Sequence, residues 1–557
     1  MPRASAIAAL SALGAAQNAL VPLASAAQFA LCGHAGAGAS AIAAYGLALA
    51  STNVATSAFN FVSDGVVAKV GAYLARKDAV RAAAAARLAV ACALGAGAAS
   101  CAILFALRDA LFDKTFARQS KDTTAMALEV FVCRAACAPL VCAVAALRGV
   151  LGGCGRVGTA TMLSALGAAL ETAVVASATS ARLHLDGAAM MRWIGVGYVI
   201  VVIVQFLVSA CVVATLPPRG ASEPLGVDVA AARSTSGGPL NIWRARMLPR
   251  KDAFDFMSDG ASMVVRSTLL QASFFIAVVI ASRSFDASGL AAHHIICQLW
   301  LIASYVVDGL AMCATVLGVR LYRTDMREFK SLLYILLALG VSAGMVFSAI
   351  LVWGKTFIPT VFTADAAARE MLATSGVWTI LVAAQPINAA VFVYDGFIYA
   401  SHSFSYVRQV MIAGVGLVFL PTLYLANRPT ATLCGIWTAK LALNAWRLVC
   451  LMARVHFWVL ETPEYDDDNI SSEFESESSQ SIDAFAATPR DAYYEPLLDA
   501  ASDDEEDEDE DEEEEETRES NVQYESSLKP SKIKSGYSPI RTPEISLAMS
   551  RASSTRR

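Results

Sequence analysis

The sequence predicts an all-α polytopic membrane protein, with twelve transmembrane helices in two six-helix bundles related by pseudo-twofold symmetry. Three observations carry this. Hydrophobic residues make up 56% of the 557 and the mean hydropathy is +0.51, too apolar for a water-soluble chain of this length. Apolar runs long enough to cross a bilayer core, ~20 residues as a helix, recur twelve times. The two halves of the chain also repeat one another at a constant offset.

The first six runs lie near residues 5–32, 39–75, 82–107, 125–152, 157–182 and 191–216. A polar break from Pro217 to Asp255 follows, and six more runs lie near 257–283, 288–322, 329–353, 369–400, 406–426 and 432–459. The predicted organisation is an N-terminal bundle (1–216), a cytosolic linker (217–256), a C-terminal bundle (257–460) and an acidic tail (461–557). The second and eighth runs exceed the bilayer thickness, so each must tilt or protrude. Alanine and glycine dominate the first half, where small residues let helices approach closely in lipid. The apolar stretch near the N-terminus fits the first span better than a cleavable signal.

At an offset of about 247, Leu74 meets Leu321, Arg76 meets Arg323, Asp78 meets Asp325, Pro139 meets Pro386 and Gly149 meets Gly396. An even number of spans per copy gives both copies the same orientation, about an axis along the membrane normal. The pair "FVSDG" (61–65) and "YVVDG" (305–309) fits only with compensating gaps and adds no weight. With a cytosolic N-terminus, about 18 Lys/Arg fall in inside loops and about 10 outside, the sense expected of cytosolic loops. Arg76, Lys77, Arg81 and Arg87 then face the cytosol, as do Arg148, Arg156, the run Arg244 to Lys251, Arg320, Arg323, Arg327 and Lys330.

The net charge of −6 reflects the tail, where "SDDEEDEDEDEEEEE" (502–516) repels itself and predicts disorder. Nothing here suits nucleic acid. "YEPL" at Tyr494, Ser538-Pro539 and Thr542-Pro543 are short sorting or phosphorylation patterns of low specificity. The twelve cysteines form no CxxC pair and read as small apolar helix residues, so neither a metal nor a cofactor is expected. No Ser/His/Asp set or glycine-rich phosphate loop marks an enzyme.

The stretch "VVRSTLLQASFFIAVVIASRSFDASGLAAHHIICQLWLIASYVVDGLA" (264–311) resembles the seventh and eighth helices of the multidrug and toxic compound extrusion (MATE) family, DinF-like branch, plant and algal type. Arg266, His293 or His294, Gln298-Leu299-Trp300 and Asp308 carry the likeness. "QPINAAVFVYDGFIYASHSFSYVR" (385–408) resembles the tenth helix and its loop, and "LRGVLGGCGRVGTA" (147–160) loosely matches the fourth-to-fifth loop. The resemblance covers roughly 15–460. It implies two six-helix bundles facing a central cleft, and export of an organic solute in exchange for protons or sodium by alternating access.

Ionisable residues inside spans normally face a cavity or a partner. Asp308 is a cavity candidate, or a carboxylate bonded to Ser304. His293 and His294 are cavity candidates or packed interhelical histidines, and Gln298 shares a face with His294. Arg266 either snorkels or meets an anionic solute. Asp395 is the repeat partner of Arg148, and the two would pair across the cleft as a gate. Pro139 and Pro386 permit bending, with Asn388 lining the second bend. Where the family often has an acid in the first helix, this chain has Gln28. In the fifth helix, Gly167 and Glu171 stand at the family's Asn and Asp. Glu171 is the expected ion-coupling group, with Gln28 as its hydrogen-bonding neighbour. Ser164, Gly167, Ala168 and Ala178 would leave room for water on its face.

The leading reading is therefore a secondary antiporter acting on a small organic solute as a monomer in a lipid bilayer. Plasma membrane, vacuolar membrane and plastid envelope remain open. The alternatives are a lipid-linked precursor flippase of the same fold group, which needs several buried basic residues beyond Arg266, Lys69 and Lys440, and a non-transporting scaffold or receptor whose tail recruits a partner.

Overall fold

The computed structural model describes residues 4–56, 66–67, 69–71, 73–74, 78–180, 182–216, 250–428 and 430–461. Phe61 to Gly65, Arg76, Lys77, most of the linker and the tail patterns lie outside them.

Among the described residues, twelve long helices run in chain order. They are α1 (Ala4–His34), α2 (Gly38–Thr56), α3 (Ala79–Asp109), α4 (Lys121–Gly153), α5 (Val157–Ala178) and α6 (Gly187–Thr215). After the linker come α7 (Arg250–Ser284), α8 (Ala287–Leu321), α9 (Met326–Trp353), α10 (Val377–Ala400), α11 (Phe404–Ala426) and α12 (Leu433–Arg454). A π-helical turn extends α3 to Thr115, another lies inside α11 at Gly414–Phe419, and a third extends α12 to Val459. Among the described residues, nine helices are long and apolar enough to cross a membrane. Large apolar side chains such as Met162, Leu207, Met345, Trp353 and Leu417 point outward, as lipid-facing surfaces require.

The tenth predicted span, 369–400, is not continuous. Asp365 caps a separate short helix, Ala366–Thr374, and α10 starts only after Gly376, whose φ of 74° breaks the helical path. Other predicted boundaries differ by a few residues, mainly because capping residues rather than hydropathy set helix starts. Ser120, Asp186, Asp286 and Thr432 each accept a backbone N–H in the first turn of α4, α6, α8 and α12.

The sequence repeat recurs as repeated geometry. Asp78 caps α3 through Arg81 N, and Asp325 caps α9 through Glu328 N. A Cβ on Gly97 would lie 2.5 Å from Pro139 Cα, and one on Gly344 would lie 2.7 Å from Pro386 Cα. Each half thus seats its helix-interior proline against a glycine of the preceding helix, where no side chain fits. The loops after α4 and α10 both turn through positive φ, at Gly155 (72°) and His402 (55°).

The halves meet along α1 and α8. A Cβ on Gly309 would lie 2.3 Å from Ala15 N, so bare backbone meets bare backbone there. At the end where α1 finishes, His34 Nε2 lies 3.1 Å from the carbonyls of Thr360 and Val361. At that same end the Gln119 amide donates to the Ser282 and Phe285 carbonyls at 2.7 and 2.8 Å, and Arg283 donates to the Thr115 carbonyl at 3.1 Å. These five contacts tie the halves together at one end of the molecule.

Candidate functional site: a cavity between the halves

A cavity of about 330 Å³ lies between the halves, lined from α1, α2, α4 and α5 on one side and from α7 and α8 on the other. Its polar lining includes Gln28, Asn53, Arg134, Arg148, Glu171, Gln271, His294, Gln298 and Tyr305. His294, Gln298, Leu301 and Tyr305 reach it from one stripe of α8, spaced at three and four residues. Gly46 makes room opposite, because a Cβ there would sit 2.3 Å from the His294 ring.

Glu171 is in the cavity wall but is not an isolated acid. Arg134 of α4 donates to it at 3.0 Å, and the Arg134 guanidinium stacks 4.1 Å from the Tyr198 ring centroid. Gln28 does not reach Glu171 by a direct bond. Its amide donates to Thr172 at 3.3 Å and its oxygen accepts from Tyr45 at 2.7 Å. Gly167 leaves no space for water, since the Gln205 side chain fills it. Of the small residues expected on that face, Ala168 lines the cavity, Ser164 accepts from Arg148 at 3.1 Å and Ala178 is buried.

A second charged cluster lies in the C-terminal half. Asp395 Oδ2 accepts from Arg266 at 3.2 Å and from Arg447 at 2.5 Å, while its Oδ1 has no hydrogen-bond partner. Arg266 also lies 5.3 Å from the Tyr399 ring centroid. From Arg447 a chain of side chains runs through Asn444 (3.3 Å) and Asn388 (2.8 Å) to Ser304 (2.7 Å), crossing α12, α10 and α8. Asn388 is thus a structural relay. Arg266 is held by an acid of its own half. The pair of Arg148 with Asp395 is expected on closure of the cytosolic end; in this structure, tied at the other end, Arg148 donates to Ser164 and Asp395 accepts from Arg266 and Arg447, each within its own half.

Asp308 does not bond to Ser304, which donates to the Trp300 carbonyl at 2.7 Å. Instead, Asn18 of α1 donates to Asp308 at 2.9 Å across the line where the halves meet. The adjacent histidines diverge. His294 faces the cavity, while His293 packs 5.5 Å from the Trp437 ring centroid. Pro139 and Pro386 sit inside unbroken helices.

Sequence reasoning missed Arg134, Tyr45, Tyr198, Arg447 and Asn18. Arg134 and Arg447 are ionisable residues within apolar runs, the signal that singled out Asp308, and each could have been sought as the partner of an intraspan acid.

The MatE family model matches residues 15–176. The Arabidopsis thaliana protein DETOXIFICATION 44, chloroplastic, is 31% identical over 208 residues, 35% of this chain and 38% of that protein. DETOXIFICATION 43 of the same plant is 26% identical over 201 residues, 36% of this chain and 37% of that protein. The chain thus matches under two fifths of the length of these relatives. A solved inward-facing multidrug resistance MATE family transporter of the MOP superfamily superposes with a TM-score of 0.64 at 15% identity, over 79% of this chain and 95% of that one. A MOP superfamily transporter from Pyrococcus furiosus superposes at 0.61 and 15% identity, over 82% and 96%. At those identities the structures establish the fold alone: the chain has the fold of these MATE transporters, and its residues 15–176 match the MatE family model.

Proposed function

We propose that the protein is a secondary active transporter that exports a small organic solute in exchange for protons or sodium by alternating access. One observation carries the reading: a polar cavity lies between two repeated halves and is tied shut at one end. Rocking the halves about the α1–α8 seam would open that end and close the other.

The lining suits a solute with two kinds of group. Among the described residues Arg148 has Ser164 as its polar partner and no carboxylate, so it favours a solute acceptor or anionic group. Glu171 favours a donor or cationic group. A proton or sodium ion competes with that group for the same carboxylate oxygens, which gives the mutual exclusion exchange requires.

The flippase reading gains from Arg134 and Arg148, two basic cavity residues absent from its sequence-level tally. The cavity volume argues against it, since about 330 Å³ is at the lower bound for small-molecule sites and small for a pyrophosphate-linked sugar carrier. The scaffold reading has no need of a lined cavity between halves.

Proteoliposomes loaded with tetraphenylphosphonium, benzoate or para-aminomethylbenzoate, with and without a pH or sodium gradient, test the proposal. Gradient-dependent movement of one probe is expected. Movement identical to that in empty vesicles for all three, under both gradients, refutes it.

A further inference from the structure

Lys440 lies in α12 with 2% of its surface exposed. Its ammonium donates to Ser273 Oγ of α7 at 2.9 Å, and the Ser273 hydroxyl in turn donates a hydrogen bond to the Leu270 carbonyl at 2.6 Å. The same nitrogen lies 3.3 Å from the Phe274 ring centroid and 5.9 Å from that of Phe419. Among the described residues no carboxylate lies within 4.0 Å of it. A lysine so buried normally has an acid beside it. This one has a hydroxyl and two aromatic faces, which hold a cation less firmly than a carboxylate does.

The charged and titratable neighbours are few. From α8 come His293 and Cys297, and on its own helix Arg447. Arg447 is already neutralised by Asp395. The α7 and α11 neighbours, Ser273, Phe274 and Phe419, carry no charge. Lys440 is therefore the uncompensated cation of this corner. Two of its neighbours, Phe274 and Cys297, also line the cavity, so one layer of side chain separates the amine from it. The third aromatic neighbour, Phe419, ends the π-helical turn inside α11, an irregularity of the kind that marks segments able to shift.

We propose that Lys440 is the proton-carrying group of the C-terminal half. With the cavity hydrated past Phe274, the amine holds a proton. As the halves repack, an N–H bond breaks, the electron pair stays on nitrogen, the proton passes to a cavity water to form hydronium, and it leaves to solvent with the departing water. A cationic group on the solute and the protonated amine disfavour each other through the Phe274 layer, so loading one expels the other. The inference rests on the antiport reading and adds a second ion site to it, distinct from Glu171.

The test uses the full chain in proteoliposomes, with the three probes above. Lys440→Met removes the charge and Lys440→Arg fixes it. Both variants should keep probe-for-probe exchange without a gradient and lose accumulation driven by a pH gradient. In weakly buffered detergent, adding the carried probe to wild type should release protons to pyranine, and both variants should release fewer per protein, keeping only those from Glu171. Phe274→Leu, which weakens the charged amine without deleting it, should move the midpoint of pH-driven uptake to lower pH. The proposal is overturned if Lys440→Arg still accumulates probe under a pH gradient, or if the Phe274→Leu midpoint stays at the wild-type value. Wild type that accumulates no probe under a pH gradient also overturns it. If wild type then works under a sodium gradient, the transporter reading stands and only the lysine assignment falls.

Discussion

Replacing Asp395 with alanine isolates the charge arrangement that holds α7, α10 and α12 together. Its side chain is 2% exposed and that of Arg447 is 5% exposed, so neither can turn to water. Removing the carboxylate leaves Arg447 its bond to Asn444 at 3.3 Å, and leaves Arg266, 16% exposed, over the Tyr399 ring. Breaking a buried pair from one side costs about 3–5 kcal/mol, because the surviving charge is desolvated without compensation. Removing both sides together with apolar residues of similar volume costs far less, often nothing. Asp395→Ala should therefore lose about 3–5 kcal/mol, while Asp395→Leu with Arg447→Met recovers most of that loss despite deleting more polar groups. Reversible unfolding in mixed micelles measures both, with modification of buried Cys313 as an independent probe of opening. If Asp395→Ala changes stability by under about 0.5 kcal/mol, the size of an ordinary surface substitution, or if the double variant is worse than the single, the cluster does not work by charge compensation.

Glu171→Gln removes the charge opposite Arg134 and the titratable group while keeping shape and an amide oxygen that can accept, so gradient-driven transport should vanish while the protein stays monodisperse. Normal coupled uptake would move the N-terminal ion site elsewhere. Gly309→Ala forces a Cβ to 2.3 Å from Ala15 N and should weaken the α1–α8 seam by a few kcal/mol, at least ~1–3 by overpacking alone; an unchanged unfolding midpoint would contradict that contact. Gln119→Leu removes the two bonds that Gln119 makes across the closed end, and single-cysteine labelling near Gly36 from that side should then speed up if those bonds hold it shut. Cysteines placed at Asp78 and Thr324 should resist impermeant thiol reagents until cells are permeabilised, and reaction in intact cells would reverse the proposed topology.

The helices were legible because a bilayer demands a crude signal, about twenty apolar residues per crossing. The duplication was legible because Asp78 and Asp325 or Pro139 and Pro386 do the same local work in each half: capping one helix, or leaving space against one glycine. Arg266, Asp308 and Glu171 stood out because an ionisable group in an apolar run is costly wherever it ends up. Their partners were not legible. Arg134 and Glu171 lie 37 residues apart, Arg266 and Asp395 lie 129 apart, and Asn18 and Asp308 lie 290 apart, and no spacing rule ties such positions together. Composition put a charge in the membrane, but only the packing of α4 on α5 and of α7 against α10 and α12 decided which opposite charge would meet it. The same holds for His293 and His294, identical neighbours in sequence. One turns into the cavity and the other toward Trp437, because consecutive helix residues point about 100° apart and only the tertiary arrangement fixes what lies in each direction.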